Sequence, residues 1–189
     1  LSGTAAVLDA AFAGTVTTHT GTVTISNAPT VAQLKAINAA TTGAITLSTA
    51  DGALSGTVAD LKAALAGTVT THTGAVTISD ANGTDITATD ITTINTAATG
   101  AITVTNTIDL NGSGSEVAAA ITAIDTNTGN VTANITGNDY TAAQLKTIND
   151  GTSGAIVLAN AGVNLSGTAA VLDAAFAGTV TTHTGTVTI

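Results

Sequence analysis

The sequence has no cysteine, methionine, tryptophan or arginine, and only one tyrosine, one proline and two phenylalanines in 189 residues. Without cysteine there is neither a disulfide framework nor a thiolate for metal or nucleophilic chemistry. Charge is scarce too: 8% of the residues are charged, where a typical globular domain carries about a quarter. Lys35, Lys62 and Lys146 are the only fixed cations, and the net charge is −9. A phosphate backbone or an anionic lipid surface repels such a chain, which excludes nucleic acid as an expected partner. No apolar run reaches the roughly 18 residues that span a bilayer, so no membrane span is expected. No basic segment followed by an apolar one opens the chain at Leu1. There is no nucleophile with base and orienter, no phosphate loop and no dinucleotide fingerprint. The chain is expected not to be an enzyme.

What is present is repetition. Leu1–Ile25 returns letter for letter as Leu165–Ile189, a period that carries position 1 onto position 165, and a repeat architecture must be considered first. Inside that period a shorter unit shows when the chain is aligned on a glycine followed by an alternating strand. It stands at Gly21-TVTI, Gly43-AITL, Gly74-AVTI, Gly100-AITV, Gly129-NVTANI, Gly154-AIVL and Gly185-TVTI. The spacings are 22, 31, 26, 29, 25 and 31, so short coils alternate with long ones and six coils fill one period. No linker or compositional break interrupts them. The expectation is one continuous domain over 1–189, a six-coil cassette in which 165–189 repeats 1–25.

Ahead of each strand lies a helical phrase: TVAQLKAIN from Thr30, TVADLKAAL from Thr57, TATDITTIN from Thr87, SGSEVAAAI from Ser113 and TAAQLKTIN from Thr141. Apolar residues recur at helical spacing, as in Val31, Leu34 and Ile37. Each phrase opens with Ser or Thr and carries Gln, Asp or Glu three residues on, the pattern of a capping box, strict at Thr30/Gln33 and Thr141/Gln144. In the duplicated segment Val7 and Val171 stand where the reciprocal acceptor would be. Helices of two or three turns do not persist alone in water, so these must be held by their neighbours.

The strand phrases put Val23, Ile45, Val76, Ile102, Val131, Ile156 and Val187 on one face and Thr24, Thr46, Thr77, Thr103, Thr132, Val157 and Thr188 on the other. One strand and one helix per coil predict an α/β, right-handed solenoid of stacked coils with a parallel sheet, in the manner of leucine-rich repeats. At strand spacing six coils would advance about 29 Å. ALSG at Ala53, IDLNG at Ile108 and VNLSG at Val163 read as a second short strand in the long coils. The alternative is a pure β-solenoid, with the helical phrases as loops.

Few side chains offer chemistry. His19, His72 and His183 share the phrase TVTTHTG; coil spacing keeps them too far apart for one metal, and they read as turn residues copied by duplication. Asp51, Asp80, Asp85, Asp109 and Asp139 lie in turns, where Asp serves the backbone. Asp80 and Asp85 form the best pair for calcium, although neither an EF-hand nor the glycine-rich nonapeptide is present. No cofactor is expected beyond that. The three lysines read as charges that keep an outward helix face from adhering to another array, with pairing to an Asp or to a helix C-terminus as the alternative. Asn38, Asn95 and Asn149 read as helix C-terminal caps or a hydrogen-bonded ladder. The row Thr24, Thr46, Thr77, Thr103, Thr132 and Thr188 reads first as a plain solvated sheet face, since most coils carry Ala-x-Thr; the sharper alternative is a surface-binding or ice-binding face, with full Thr-x-Thr at Thr22/Thr24 and Thr186/Thr188. Asn82-Gly-Thr and Asn130-Val-Thr read as sequons arising by chance in a threonine-rich chain.

TVAQLKAINAATTGAITL, YTAAQLKTINDGTSGAIVL and LKAALAGTVTTHTGAVTI resemble the repeat tracts of very large surface or secreted proteins of marine cyanobacteria, of the haemolysin-type or S-layer-like kind. The resemblance runs over the whole chain and implies an extracellular or cell-surface setting. It transfers no functional residue. The expected function is a structural array forming an extracellular filament, stalk or surface-layer fibre, self-associating head to tail or continued in the same chain. The alternative is an adhesin or an ice- or surface-binding module that uses the threonine face.

Overall fold

A computed structural model describes residues 1–14, 17–127 and 131–189. Gly129, which opens one strand phrase, and Asn130 of the second sequon lie outside the described residues. In chain order the elements are β1 (Ser2–Gly3), α1 (Ala5–Phe12), β2 (Val23–Ile25), α2 (Val31–Ala40), β3 (Ile45–Leu47), β4 (Leu54–Gly56), α3 (Val58–Ala64), β5 (Val76–Ile78), β6 (Thr84–Thr87) and α4 (Ala88–Ala97). They continue with β7 (Ile102–Val104), β8 (Ile108–Gly112), α5 (Gly114–Ala123), β9 (Thr126–Asn127), β10 (Thr132–Ile135), α6 (Ala142–Gly151), β11 (Ile156–Leu158), β12 (Leu165–Ser166), α7 (Ala169–Phe176) and β13 (Val187–Thr188). This is an α/β fold of short helices alternating with parallel strands. The helical phrases are helices, so the all-β alternative is not what the chain adopts. Among the described residues no helix is long and apolar enough to cross a membrane.

Six helices start where a hydroxyl serves an otherwise unpaired backbone donor. Thr4, Thr30, Thr57, Ser113, Thr141 and Thr168 occupy the N-cap in extended backbone and accept from the N–H three residues on. Gln33, Glu116 and Gln144 return the bond to the cap's own N–H, at 3.1, 2.8 and 2.8 Å. Val7 and Val171 have no oxygen to return, so α1 and α7 keep half of the box, as their sequence implies. Losing such a cap costs about 1 kcal/mol. In a helix of 7 to 10 residues that is a large share of the local balance.

Two compact units are distinguished, Leu1–Ser79 with Thr93–Thr103, and Asp80–Thr92 with Val104–Ile189. In the first, β1, β2 and β3 form a parallel sheet that a bridge from Ile45 to Val69 extends, and β4, β5 and β7 are neighbours in another. Helix α1 packs on α2, and α2 on α3. In the second, β6, β8, β10 and β11 form a parallel sheet that a bridge from Ile156 to Val180 extends, and β12 pairs with β13. There α5 packs on α6, α6 on α7, and α5 lies against β8 and β10.

These pairings correct the expectation of one strand per coil in one ladder. Strand register takes shorter steps along the chain than the helices do. Val23 meets Ile45 and Ile45 meets Val69, whereas α1, α2 and α3 begin at Ala5, Val31 and Val58. Every ladder therefore slips towards the N-terminal side of its coil. The ladder that opens at β6, directly before α4, passes through β8, β10 and β11 and reaches Val180 just after α7. The extra strands β4 and β12 open fresh ladders beside the helices. The long glycine step from Gly43 to Gly74 thus marks a jump between ladders: β3 meets Val69 and leaves β5 to β4. ALSG, IDLNG and VNLSG are strands as read, while β6 was not anticipated.

Aliphatic side chains fill the interior. Val23, Ile45, Val76, Ile102, Val131 and Ile156 are at most 2% exposed, as their inward phase requires. Each such side chain contributes about 1.5–3 kcal/mol relative to exposure. Glycine precedes the strand because coils touch there through backbone. A Cβ on Gly43 would lie 2.0 Å from the Gly21 carbonyl oxygen, and one on Gly100 1.9 Å from that of Gly74. Buried threonines join coils as well: Thr41 donates to the His19 carbonyl at 2.8 Å and accepts from Gly43 N–H at 3.0 Å. Thr152 repeats the device with the Val131 carbonyl and Gly154 N–H, at 2.6 and 3.0 Å.

Candidate functional site

The threonines of the outward strand face all reach solvent, but the ladders divide them. Thr24 stands opposite Thr46, and adjacent strands β5 and β7 carry Thr77 and Thr103. On their other paired sides Thr77 meets Ser55, Thr132 meets Asp109 and Thr188 meets Ser166. Val157, opposite Asn134, is 37% exposed. Two short threonine pairs take the place of one long row.

A different polar row runs over the second unit. Asp85 Oδ1 accepts from Asn111 Nδ2 at 3.0 Å, and Asn111 Oδ1 accepts from Asn134 Nδ2 at 3.1 Å. Parallel strands place like positions side by side, so one amide after another can pass on the bond. The signal was legible in the outward-phase asparagines of IDLNG and TANI and was missed. Asp85 also stands opposite Asp109. Asp80, the other calcium candidate, is buried at 7% exposure before β6, and its carbonyl accepts from Asn106 Nδ2 at 2.8 Å. Among the described residues no three His, Cys, Asp or Glu side chains come together to hold a metal ion.

Identical histidine phrases occupy unlike surroundings. His19 lies beside Phe12 with ring centres 6.1 Å apart, and His183 lies beside Phe176 at 5.4 Å and edge-on to Tyr140 at 6.5 Å. The ring of His183 also bonds the Val163 carbonyl through Nε2 at 2.7 Å. In the copy that holds His72, Leu65 replaces the aromatic. His72 is 2% exposed, and among the described residues neither ring nitrogen has a hydrogen-bond partner of good geometry. Burial lowers its pKa, with the Ala75 backbone and the Asp51 charge pulling the other way. The Ala75 backbone is thus close enough to be felt without making a well-directed bond. Tyr140, also 2% exposed, donates to the Asn160 carbonyl at 2.7 Å, and burial raises its pKa.

The other polar candidates bond within a helix or between neighbouring helices. Lys35 on α2 reaches Asp60 on α3 at 2.6 Å with both side chains about half exposed, and Lys146 pairs with Asp150 one turn on. The hydrogen bond from Lys35, helped by the Thr57 hydroxyl, lowers the Asp60 pKa. The Ser113 N–H does the same for Glu116. Exposed pairs of this kind contribute about 0–1 kcal/mol. Asn38 Nδ2 donates to the carbonyls of Ala63 and Ala66, both at 2.9 Å, and Asn149 Nδ2 to that of Ala174 at 2.7 Å. Both asparagines therefore close the C-terminal end of the next helix rather than of their own. A shallow groove of about 450 Å³ lies under the Lys35–Asp60 pair, floored by Ala32, Ala36 and Ala39; no set of nucleophile, base and oxyanion donors converges on it.

No protein-family model, curated protein or solved structure matches the chain.

Proposed function

We propose that this chain is part of a structural array, an α/β solenoid whose coils stack into an extracellular filament, stalk or surface-layer fibre. One observation carries the reading: strands, helix caps and interhelical asparagines recur coil after coil, with ladders that step from Val23 to Ile45 to Val69 and from Thr84 to Ile108. Such a repeat contacts only its neighbours, so it lengthens without redesign. The polar groups are engaged largely in joining coils, which supports a scaffold over a catalyst. An adhesive or ice-binding threonine face has less support, because Asp109 and Val157 interrupt the threonines. Electron microscopy of chains with one and two six-coil cassettes tests the array. Particles lengthened along one axis by a constant increment are expected, and particles that grow equally in all directions would remove the reading.

A further inference from the structure

The phrase TVTTHTG sits in two different frames within the chain. In the copy that holds His183 the ring is engaged: Nε2 bonds the Val163 carbonyl at 2.7 Å, and Phe176 and Tyr140 lie against it. Two differences set the His72 copy apart. Leu65 stands where Phe176 does, which removes the aromatic ring that packs on the imidazole. Counted back from the shared LSGT, Asp51 stands at the position of Gly162, which adds a carboxylate to the turn that leads into β4.

The backbone beside the two rings is held alike. The Ala50 carbonyl accepts from the N–H groups of Thr73 and Gly74 at 2.8 and 3.1 Å, and the Ala161 carbonyl accepts from those of Thr184 and Gly185 at the same distances. His72 itself is buried, with neither ring nitrogen bonded among the described residues, whereas Asp51 is exposed. The Asp51 carbonyl oxygen lies 2.3 Å from where a Cβ on Gly74 would stand, so this turn touches the chain two residues beyond the ring. Burying an imidazole without a bond is costly, and far costlier once it carries a charge. Around it, the end of α4 brings Ala97 and Ala98 through backbone contacts, and Asp51 is the charged group that acts on the ring.

We propose that His72 is a proton-operated latch: on taking up a proton its ring leaves the interior for the Asp51 carboxylate, and the Ala50 carbonyl releases Thr73 and Gly74 while the rest of the fold stays closed. The turn that opens is the passage from β3 to β4, where the chain leaves one ladder for the next, so its release breaks no strand pairing. An imidazole in water takes its proton near pH 6.5, and a buried, unbonded one resists it, so opening grows as pH falls from 7 to 5. The latch belongs to a single chain and does not depend on the array reading.

Hydrogen exchange of the full chain tests it, with the protection of each amide taken relative to its intrinsic rate at that pH. Between pH 7 and pH 5 the protection of Thr73 and Gly74 is expected to fall by about tenfold or more. Ser48 and Ser79, which donate to the Ile25 and Gly56 carbonyls, should keep theirs. His72→Leu should remove the loss at Thr73 and Gly74, and Leu65→Phe should weaken it by giving the ring an aromatic neighbour. Asp51→Asn reads where the ring goes. If the charged ring moves to this carboxylate, removing it shrinks the acid loss; if Asp51 only steadies a charged ring inside, removing it enlarges the loss and overturns the latch. Undiminished protection at Thr73 and Gly74, a loss shared equally by Ser48 and Ser79, or a loss that survives His72→Leu overturns it as well. Because Asp51 is exposed, that variant and the parent chain decide the matter even where the buried substitutions lower stability.

Discussion

His72 shows how far one substitution can separate copies of the same phrase. With Leu65 where Phe12 and Phe176 stand in the other copies, its ring has, among the described residues, no aromatic neighbour and no hydrogen bond of good geometry. Its lowered pKa means that the unfolded chain takes up the proton first. Stability from the neutral ring is then fully present above the unfolded value of about 6.5 and is lost as pH falls below it towards the folded value. Asp51 is the charged group that moderates the effect. The melting temperature of the chain should fall between about pH 7 and pH 5, and fall less steeply in His72→Leu. The rest of the sequence is the same in both chains, so the difference belongs to His72. Equal pH slopes in parent and variant would show that the ring is solvated or bonded in solution.

At the scale of elements, α3 and α7 depend on the helix before them. Asn38 leaves α2 to hold the carbonyls that α3 exposes at its end. Asn38→Ala should lower stability by about 1–2 kcal/mol, more than the half-exposed ion pair Lys35–Asp60 contributes. Urea denaturation of Asn38→Ala beside Lys35→Ala decides the order, and a larger loss for Lys35→Ala would reverse it. Helices and inward strand positions were legible in the sequence because both signals are local: a hydroxyl three residues before Gln or Glu, and aliphatics at alternate positions. Lateral pairing was not, because the glycine–strand phrase recurs in every coil and fits several partners equally. The backbone-to-backbone fit at Gly43, Gly74, Gly100 and Gly185, together with the full coil length, chooses among them. For the same reason the threonines read as one row, while the chain of bonds through Asp85, Asn111 and Asn134 went unseen until β6 was placed beside β8.

Two packing distances must be reconciled in every coil. Neighbouring strands sit about 4.8 Å apart, but helices side by side need about 8–10 Å. A step perpendicular to the strands cannot satisfy both. The unequal periods of strands and helices show how the chain does it: Ile45 meets Val69 while α2 and α3 begin at Val31 and Val58, and Asp109 meets Thr132 while α5 and α6 begin at Gly114 and Ala142. Successive coils are displaced along the strands as well as across them. The strand step falls short of the helix step by three residues in the first case and by five in the second. An oblique step of this kind leaves the ladders short and requires new strands such as β4 and β12 to open beside the helices, so cassette length and ladder slip are linked. A chain in which residues 26–189 follow Ile189 should bury Val187 and Ile189 as Val23 and Ile25 are buried now. Since nearest-neighbour contacts set stability in repeats, its urea slope should rise in proportion to length with ellipticity per residue unchanged. An unchanged slope with lost ellipticity would mean that the added coils do not continue the same ladders.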